Sequence, residues 1–256
     1  MRQIFMLAGL LLGAEAAAQT AVRKEAVFAS SPPVIAYTAD YPPYADKGLP
    51  DGGLSVALVR AAFAAAGYAV ALEEVPGNRA LYEVEQGTRI AAFPLARTKA
   101  REKLFQYSVV LLPIASAVFV RQNSDWPGLM AVRNDSICVP TGWPVPRAVA
   151  DRVLENHLLQ VQANDLQSCI RLVAAGRAGF LIHDPAVILT VARKMSVEHH
   201  LAVAERNITT SGQYMIARQN DPQARLLLDK LEEGLLRIRG DGTYDRLVRS
   251  VIGVAD

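Results

Sequence analysis

The residues best placed to do chemistry in this 256-residue chain lie between Pro76 and Ser108, in PGNRALYEVEQGTRIAAFPLARTKAREKLFQYS. The pattern predicts a short helix over Ala80–Gln86, a stop at Gly87, an apolar strand over Ile90–Leu95, and a loop delivering Thr98 and Arg101 as a T-x-x-R unit. A basic side chain just beyond the end of a buried strand stands where parallel sheets hold their ligands. A guanidinium there can grip a carboxylate through two parallel hydrogen bonds. The same spacing also fits a surface arginine near a helix start, and spacing alone leaves both readings open.

Other chemistries find less support. His199 and His200 are adjacent, and His157 and His183 are isolated, so no metal-ligand spacing emerges. No G-x-S-x-G, P-loop or dinucleotide fingerprint occurs, and no cofactor is expected. With 27 Lys and Arg against 25 Asp and Glu, the net charge is +2 and no basic run stands out, which gives a nucleic-acid partner no electrostatic support. Apolar residues make up 51% of the chain, enough for a sizeable core.

The elements that must position Arg101 follow from apolar runs and their stops. Val34–Tyr37 reads as a strand ending in the turn-rich DYPPYADKGLPDGG, where two prolines hold aromatic side chains on a stiff loop. A helix over Leu54–Ala66 stops at Gly67, and Tyr68–Glu74 and Ala115–Arg121 read as strands. After a break at Asn123–Gly128 the alternation restarts, with strands over Ser136–Val139, Leu159–Ala163 and Gly179–Ile182 and helices over Arg147–Asn156 and Asp165–Ala175. Asp184-Pro185 opens another helix, aspartate as N-cap and proline at the first helical position. A strand over Gln213–Arg218 and helices over Pro222–Ile238 and Asp241–Ile252 complete the chain. Two α/β units separated by a break predict two lobes with a cleft between them.

Met1 to Gln19 reads as an export signal: Arg2, an apolar core over Ile4–Leu12, and A-x-A sites in Ala14–Ala18. The expected signal peptide is 1–18, with a periplasmic mature chain. The apolar run covers only about half of a ~30 Å hydrocarbon core, so no membrane anchor is expected. In an exported chain, Cys138 and Cys169 suggest one disulfide; two buried free thiols are the alternative.

Over roughly Ala36 to Gly253 the chain resembles the bacterial family 3 extracellular solute-binding proteins of the polar-amino-acid-binding type. The pieces that carry the resemblance are YPPY from Tyr41, GGLSVALVRAAFAAAGY from Gly52, RTKAREKLFQYS, VPTG from Val139, GRAGFLIHD from Gly176 and LEEGLLRIRGDGTYDRLV from Leu231. The resemblance implies a two-lobed type II periplasmic binding protein-like α/β fold. Each lobe would hold a mixed or parallel sheet, with residues 19–122 and 212–256 forming lobe 1 and 123–211 forming lobe 2. It implies that Arg101, with Thr98 beside it, takes a ligand α-carboxylate, and that Thr141 and Gly142 add backbone donors. Asp184 would pair with the ligand ammonium, helix capping being its other reading. Tyr41 and Tyr44 would pack on the ligand or within their loop. Arg79 is a second anion contact or a solvated helix-start residue, and Trp143 walls the pocket or covers the hinge.

The function so implied is capture of a small carboxylate-bearing solute, an amino acid or derivative, by a monomer serving the separate membrane subunits of an ABC importer. The alternatives are a receptor for a signalling partner and an enzyme on the same scaffold, resembling cyclohexadienyl or arogenate dehydratases, with Asp184, Glu74 or Glu155 as acid. Two departures bear on the ligand. FPLAR, Phe93–Arg97, replaces the family's hydroxyl- and glycine-rich run, and Ile90 and Gly179 stand where aspartate is frequent. They leave a smaller, less polar or non-amino-acid carboxylate open.

Overall fold

A computed structural model describes residues 31–252 except Asp40 and Asn156, so the expected signal segment 1–18 lies outside the described residues. Two sheets divide the strands. In the first, β2 (Ala71–Val75), β1 (Val34–Thr38) and β3 (Ala91–Ala96) run parallel. Antiparallel β11 (Thr210–Arg218) follows, flanked by β4 (Phe105–Tyr107) and β5 (Leu112–Ala115). In the second, β8 (Leu158–Ala163), β7 (Asp135–Pro140) and β9 (Phe180–His183) run parallel, with β6 (Ala117–Arg121) and β10 (Leu201–Glu205) antiparallel at the far side. Both sheets are therefore mixed.

The apolar runs become strands covered on both faces. Five consecutive residues of β3 are buried, as a central parallel strand requires. Helices α1 (Leu54–Ala65) and α7 (Pro222–Gly240) cover one face of the first sheet, and α2 (Gly77–Glu85) packs on the other. α1 and α7 cross closely at Gly234, where a Cβ would stand 1.8 Å from the Ala62 carbonyl oxygen. In the second sheet alternate residues feed opposite cores: Val118, Ile137 and Phe180 one, Phe119, Cys138 and Leu181 the other. Here α5 (Leu166–Ala174) and α6 (Pro185–Lys194) are the principal cover, with the short α4 (Ala150–Leu154) beside β8. Asp165 caps α5, and Asp221 caps α7. Short α3 (Lys99–Glu102) follows β3, and α8 (Thr243–Ile252) packs on α7 and α1.

The chain passes between the sheets twice. The single strand expected over Ala115–Arg121 is two strands that part at Ser116, so β6 lies in the second sheet, whereas the expected boundary of lobe 1 fell after residue 122. The return runs through Ile208 and Thr209, and β11 begins at Thr210, three residues before the strand expected from Gln213. The crossovers are bonded to each other: the Ser116 N–H donates to the Thr209 carbonyl and the Ile208 N–H to the Ser116 carbonyl, both at 2.9 Å. Cys138 on β7 and Cys169 on α5 form a disulfide with a Cα–Cα distance of 5.6 Å, both buried. No helix among the described residues is long and apolar enough to cross a membrane.

Candidate ligand-binding site

Loops from the carboxyl ends of five parallel strands carry the expected site residues, together with Asn78 and His183, which were not among them. From the first sheet come Tyr41 and Tyr44 after β1, Asn78 and Arg79 in α2 after β2, and Thr98 and Arg101 after β3. From the second come Thr141, Gly142 and Trp143 after β7, and His183 and Asp184 at the end of β9.

The loop after β1 is fastened to the start of α1. The Pro43 and Tyr44 carbonyls accept from the Leu54 and Ser55 N–H groups, at 3.0 and 2.9 Å, satisfying donors that a helix start otherwise leaves free. Gly53 permits this approach: its φ is +96°, and a Cβ would stand 2.6 Å from the Tyr44 carbonyl oxygen. Tyr44 is consequently rigid and 1% exposed. Its hydroxyl donates across the lobes to Asp184 Oδ2, while Asp184 Oδ1 accepts from the Ala186 N–H at 2.8 Å and so caps α6. Burial pushes the Asp184 carboxyl above its usual range, against the Tyr44 and backbone hydrogen bonds, and neither lysine nor arginine offsets it. Burial, the Asp184 charge and its hydrogen bond raise the Tyr44 phenol.

Aromatic rings close around this bond. Tyr41 lies edge-on to Trp143 and His183, with centroids 6.3 and 6.0 Å away, and 5.5 Å from Tyr44. Trp143 and His183 are 4.9 Å apart. A Cβ on Gly142 would come within 3.4 Å of the Asn78 amide, and Lys194 pairs with Asp46 at 3.4 Å, so the lobes also touch on either side of the rings.

Arg101 stands on the first-lobe side. Its Nη1 donates to the Ala96 carbonyl at 3.0 Å, and no ion pair holds it among the described residues. Partial burial lowers its pKa, and only the Tyr107 phenol acts in the opposite direction. Ala96 is paired in register with Gln213 of β11, which brings that side chain to the same edge. Gln213 is 4% exposed; its Oε1 accepts from Ser55 Oγ at 2.5 Å, while its Nε2, beside the Tyr41 hydroxyl, has no hydrogen-bond partner.

The other expected residues are engaged locally. The Thr98 hydroxyl accepts from the Arg101 N–H at 3.2 Å and caps α3. The Thr141 N–H and hydroxyl both donate to the Ala163 carbonyl, at 2.8 and 3.0 Å, which fixes the turn after β7. Arg79 is exposed and paired with Glu83 one turn on, the arrangement of a solvated helix-start residue. Glu74 is tied to Lys47, and exposed Glu155 lies 3.2 Å from His157. Sequence reasoning passed over Gln213, Ser55 and His183 as site residues. A glutamine amid the apolar alternation of β11 and a histidine next to Asp184 were the available signals. An open groove of about 480 Å³ runs along Tyr107, Tyr214 and the start of α7. Its arginines are already paired, Arg97 with Glu102 and Arg225 with Asp229.

The cluster gives a signed pH response. Burial lowers the His183 pKa from 6.5 to about 4. Its contribution to stability is fully present above 6.5 and is lost as pH falls through about 4. Asp184 works the other way: its raised pKa gives a contribution present below the usual carboxylate value and lost as pH rises through the shifted one. Thermal melts between pH 7 and 4 will therefore show a stability loss on acidification that His183→Gln flattens and Asp184→Asn steepens.

The sequence profile of the bacterial extracellular solute-binding proteins, family 3, matches residues 34–254. No curated protein matches the sequence. Similar solved structures include a histidine kinase sensor domain with similarity to periplasmic binding proteins, at 22% identity and TM-score 0.75, covering 87% of this chain and 96% of that one. Another is reported for glutathione import in Gram-positive bacteria via GshT and the cystine ABC importer TcyBC of Streptococcus mutans, at 18% identity and TM-score 0.74, covering 87% and 95%. A third is an ancestral arginine-binding protein bound to arginine, at 18% identity and TM-score 0.71, covering 85% and 96%. At these identities the structures establish a common fold, and the profile match over nearly the whole described chain establishes descent: this protein belongs to the bacterial extracellular solute-binding proteins, family 3.

Proposed function

We propose that this protein captures a small carboxylate-bearing solute between its lobes, in the periplasm, and delivers it to the membrane subunits of an ABC importer. An amino acid or derivative is the solute class that the family resemblance implies. The observation that carries the reading is Arg101, a half-buried guanidinium at the carboxyl end of β3 with no ion-pair partner among the described residues. A guanidinium partly stripped of water and lacking a counter-charge gains most from a ligand that supplies two carboxylate oxygens. The lobes would part and close about the paired crossovers at Ser116 and Ile208–Thr209, admitting the solute when open. Binding alone accounts for these residues, and no catalytic role is assigned.

Isothermal titration of the purified monomer against amino acids and small carboxylic acids tests the reading. Saturable binding of at least one carboxylate, absent with its amide or methyl ester, is expected. Heat-silent titrations across the whole panel would overturn it.

A further inference from the structure

We propose that the solute held at Arg101 lacks an α-ammonium group and is a 2-oxo acid rather than a 2-amino acid; the inference rests on the carboxylate-capture role above. A zwitterion needs two opposite charges that are both free to meet it. Arg101 is free, whereas Asp184 is 6% exposed, with one oxygen capping α6 and the other accepting from Tyr44. Tyr44 is no movable lid, because its backbone is bonded to the start of α1 and wedged against Gly53. The other carboxylates near these loops, among the described residues, also have partners: Glu74 holds Lys47, Asp46 holds Lys194 and Glu102 holds Arg97. An ammonium group enclosed here would lose its water and find no counter-charge among the described residues, which is among the costliest arrangements in a protein.

Besides Arg101, the groups that remain available among the described residues are uncharged. The unpartnered end of the Gln213 amide lies at the strand edge that also holds Arg101, since its residue pairs with Ala96, whose carbonyl anchors the guanidinium. A buried amide N–H without a partner is costly and is relieved by an acceptor such as a carbonyl oxygen. Beside it stands the Tyr41 hydroxyl, whose ring packs edge-on against Trp143 and against the His183 imidazole, which burial keeps neutral. Arginine for the carboxylate, an amide donor for the adjacent oxygen and ring edges for the side chain match a 2-oxo acid group for group.

Calorimetry with matched pairs decides the matter: pyruvate and alanine, 4-methyl-2-oxopentanoate and leucine, phenylpyruvate and phenylalanine. In the tightest pair the oxo acid is expected to bind about tenfold or more tightly than its amino acid. Gln213→Leu should narrow that gap by weakening the oxo acid. Tyr44→Phe, which releases one Asp184 oxygen, should narrow it by strengthening the amino acid; melting curves would verify that both variants fold. An amino acid binding as tightly as its oxo acid, or more so, overturns this inference and leaves carboxylate capture standing. Failure of both members of every pair to bind, together with the wider panel, overturns the capture role itself.

Discussion

Replacing Arg101 with alanine lowers affinity for the bound carboxylate by roughly 10²- to 10³-fold, because the anion is left enclosed without a counter-charge, an effect of about 3–4 kcal/mol. Arg101→Lys retains the charge and loses the two-pronged geometry, so it should recover only part of the affinity. Stability should barely change: the guanidinium makes one hydrogen bond, to the Ala96 carbonyl, and joins no ion pair among the described residues. Calorimetry and thermal melts on the same samples separate the two effects. Unchanged affinity in Arg101→Ala would remove the basis of the proposed function, and a large drop in melting temperature would mark the residue as structural.

The second large effect belongs to the disulfide. Cys138 and Cys169 are 31 residues apart, and closing a loop of that size in the unfolded chain stabilises the fold by about 3.5 kcal/mol on a chain-entropy estimate. The double variant Cys138→Ser, Cys169→Ser should lose about that much and melt roughly 7–14 °C lower. Both positions are buried, so the serine hydroxyls add a desolvation cost of their own. The double alanine variant isolates the covalent term. A melt unchanged within a degree in the alanine variant would show that the cross-link does not limit the stability of the second lobe.

Much of the scaffold was legible in the sequence, for identifiable reasons. The parallel strands β1, β3 and β7 stand out as short apolar runs, and Asp165, Asp184 and Asp221 announce their helices. The change of sheet at Ser116 was hidden because residues on either side are mostly apolar, so hydropathy carries no mark of which sheet a strand joins. β4 is only three residues long and β10 is mostly half-buried, which leaves little periodicity to read. Arg101 and Asp184 stood out through their local motifs. The bond that joins Tyr44 to Asp184 spans 140 positions, and no local pattern encodes it. Gln213 was obscured in the same way, since its importance comes from register with Ala96.

The two segments that link the sheets lie side by side and exchange hydrogen bonds through Ser116, Ile208 and Thr209. Sliding one past the other would break both bonds at once, whereas a shared twist preserves them. The halves of the molecule are thus resistant to shear and compliant in torsion, with their freedom reduced to swinging about one short axis.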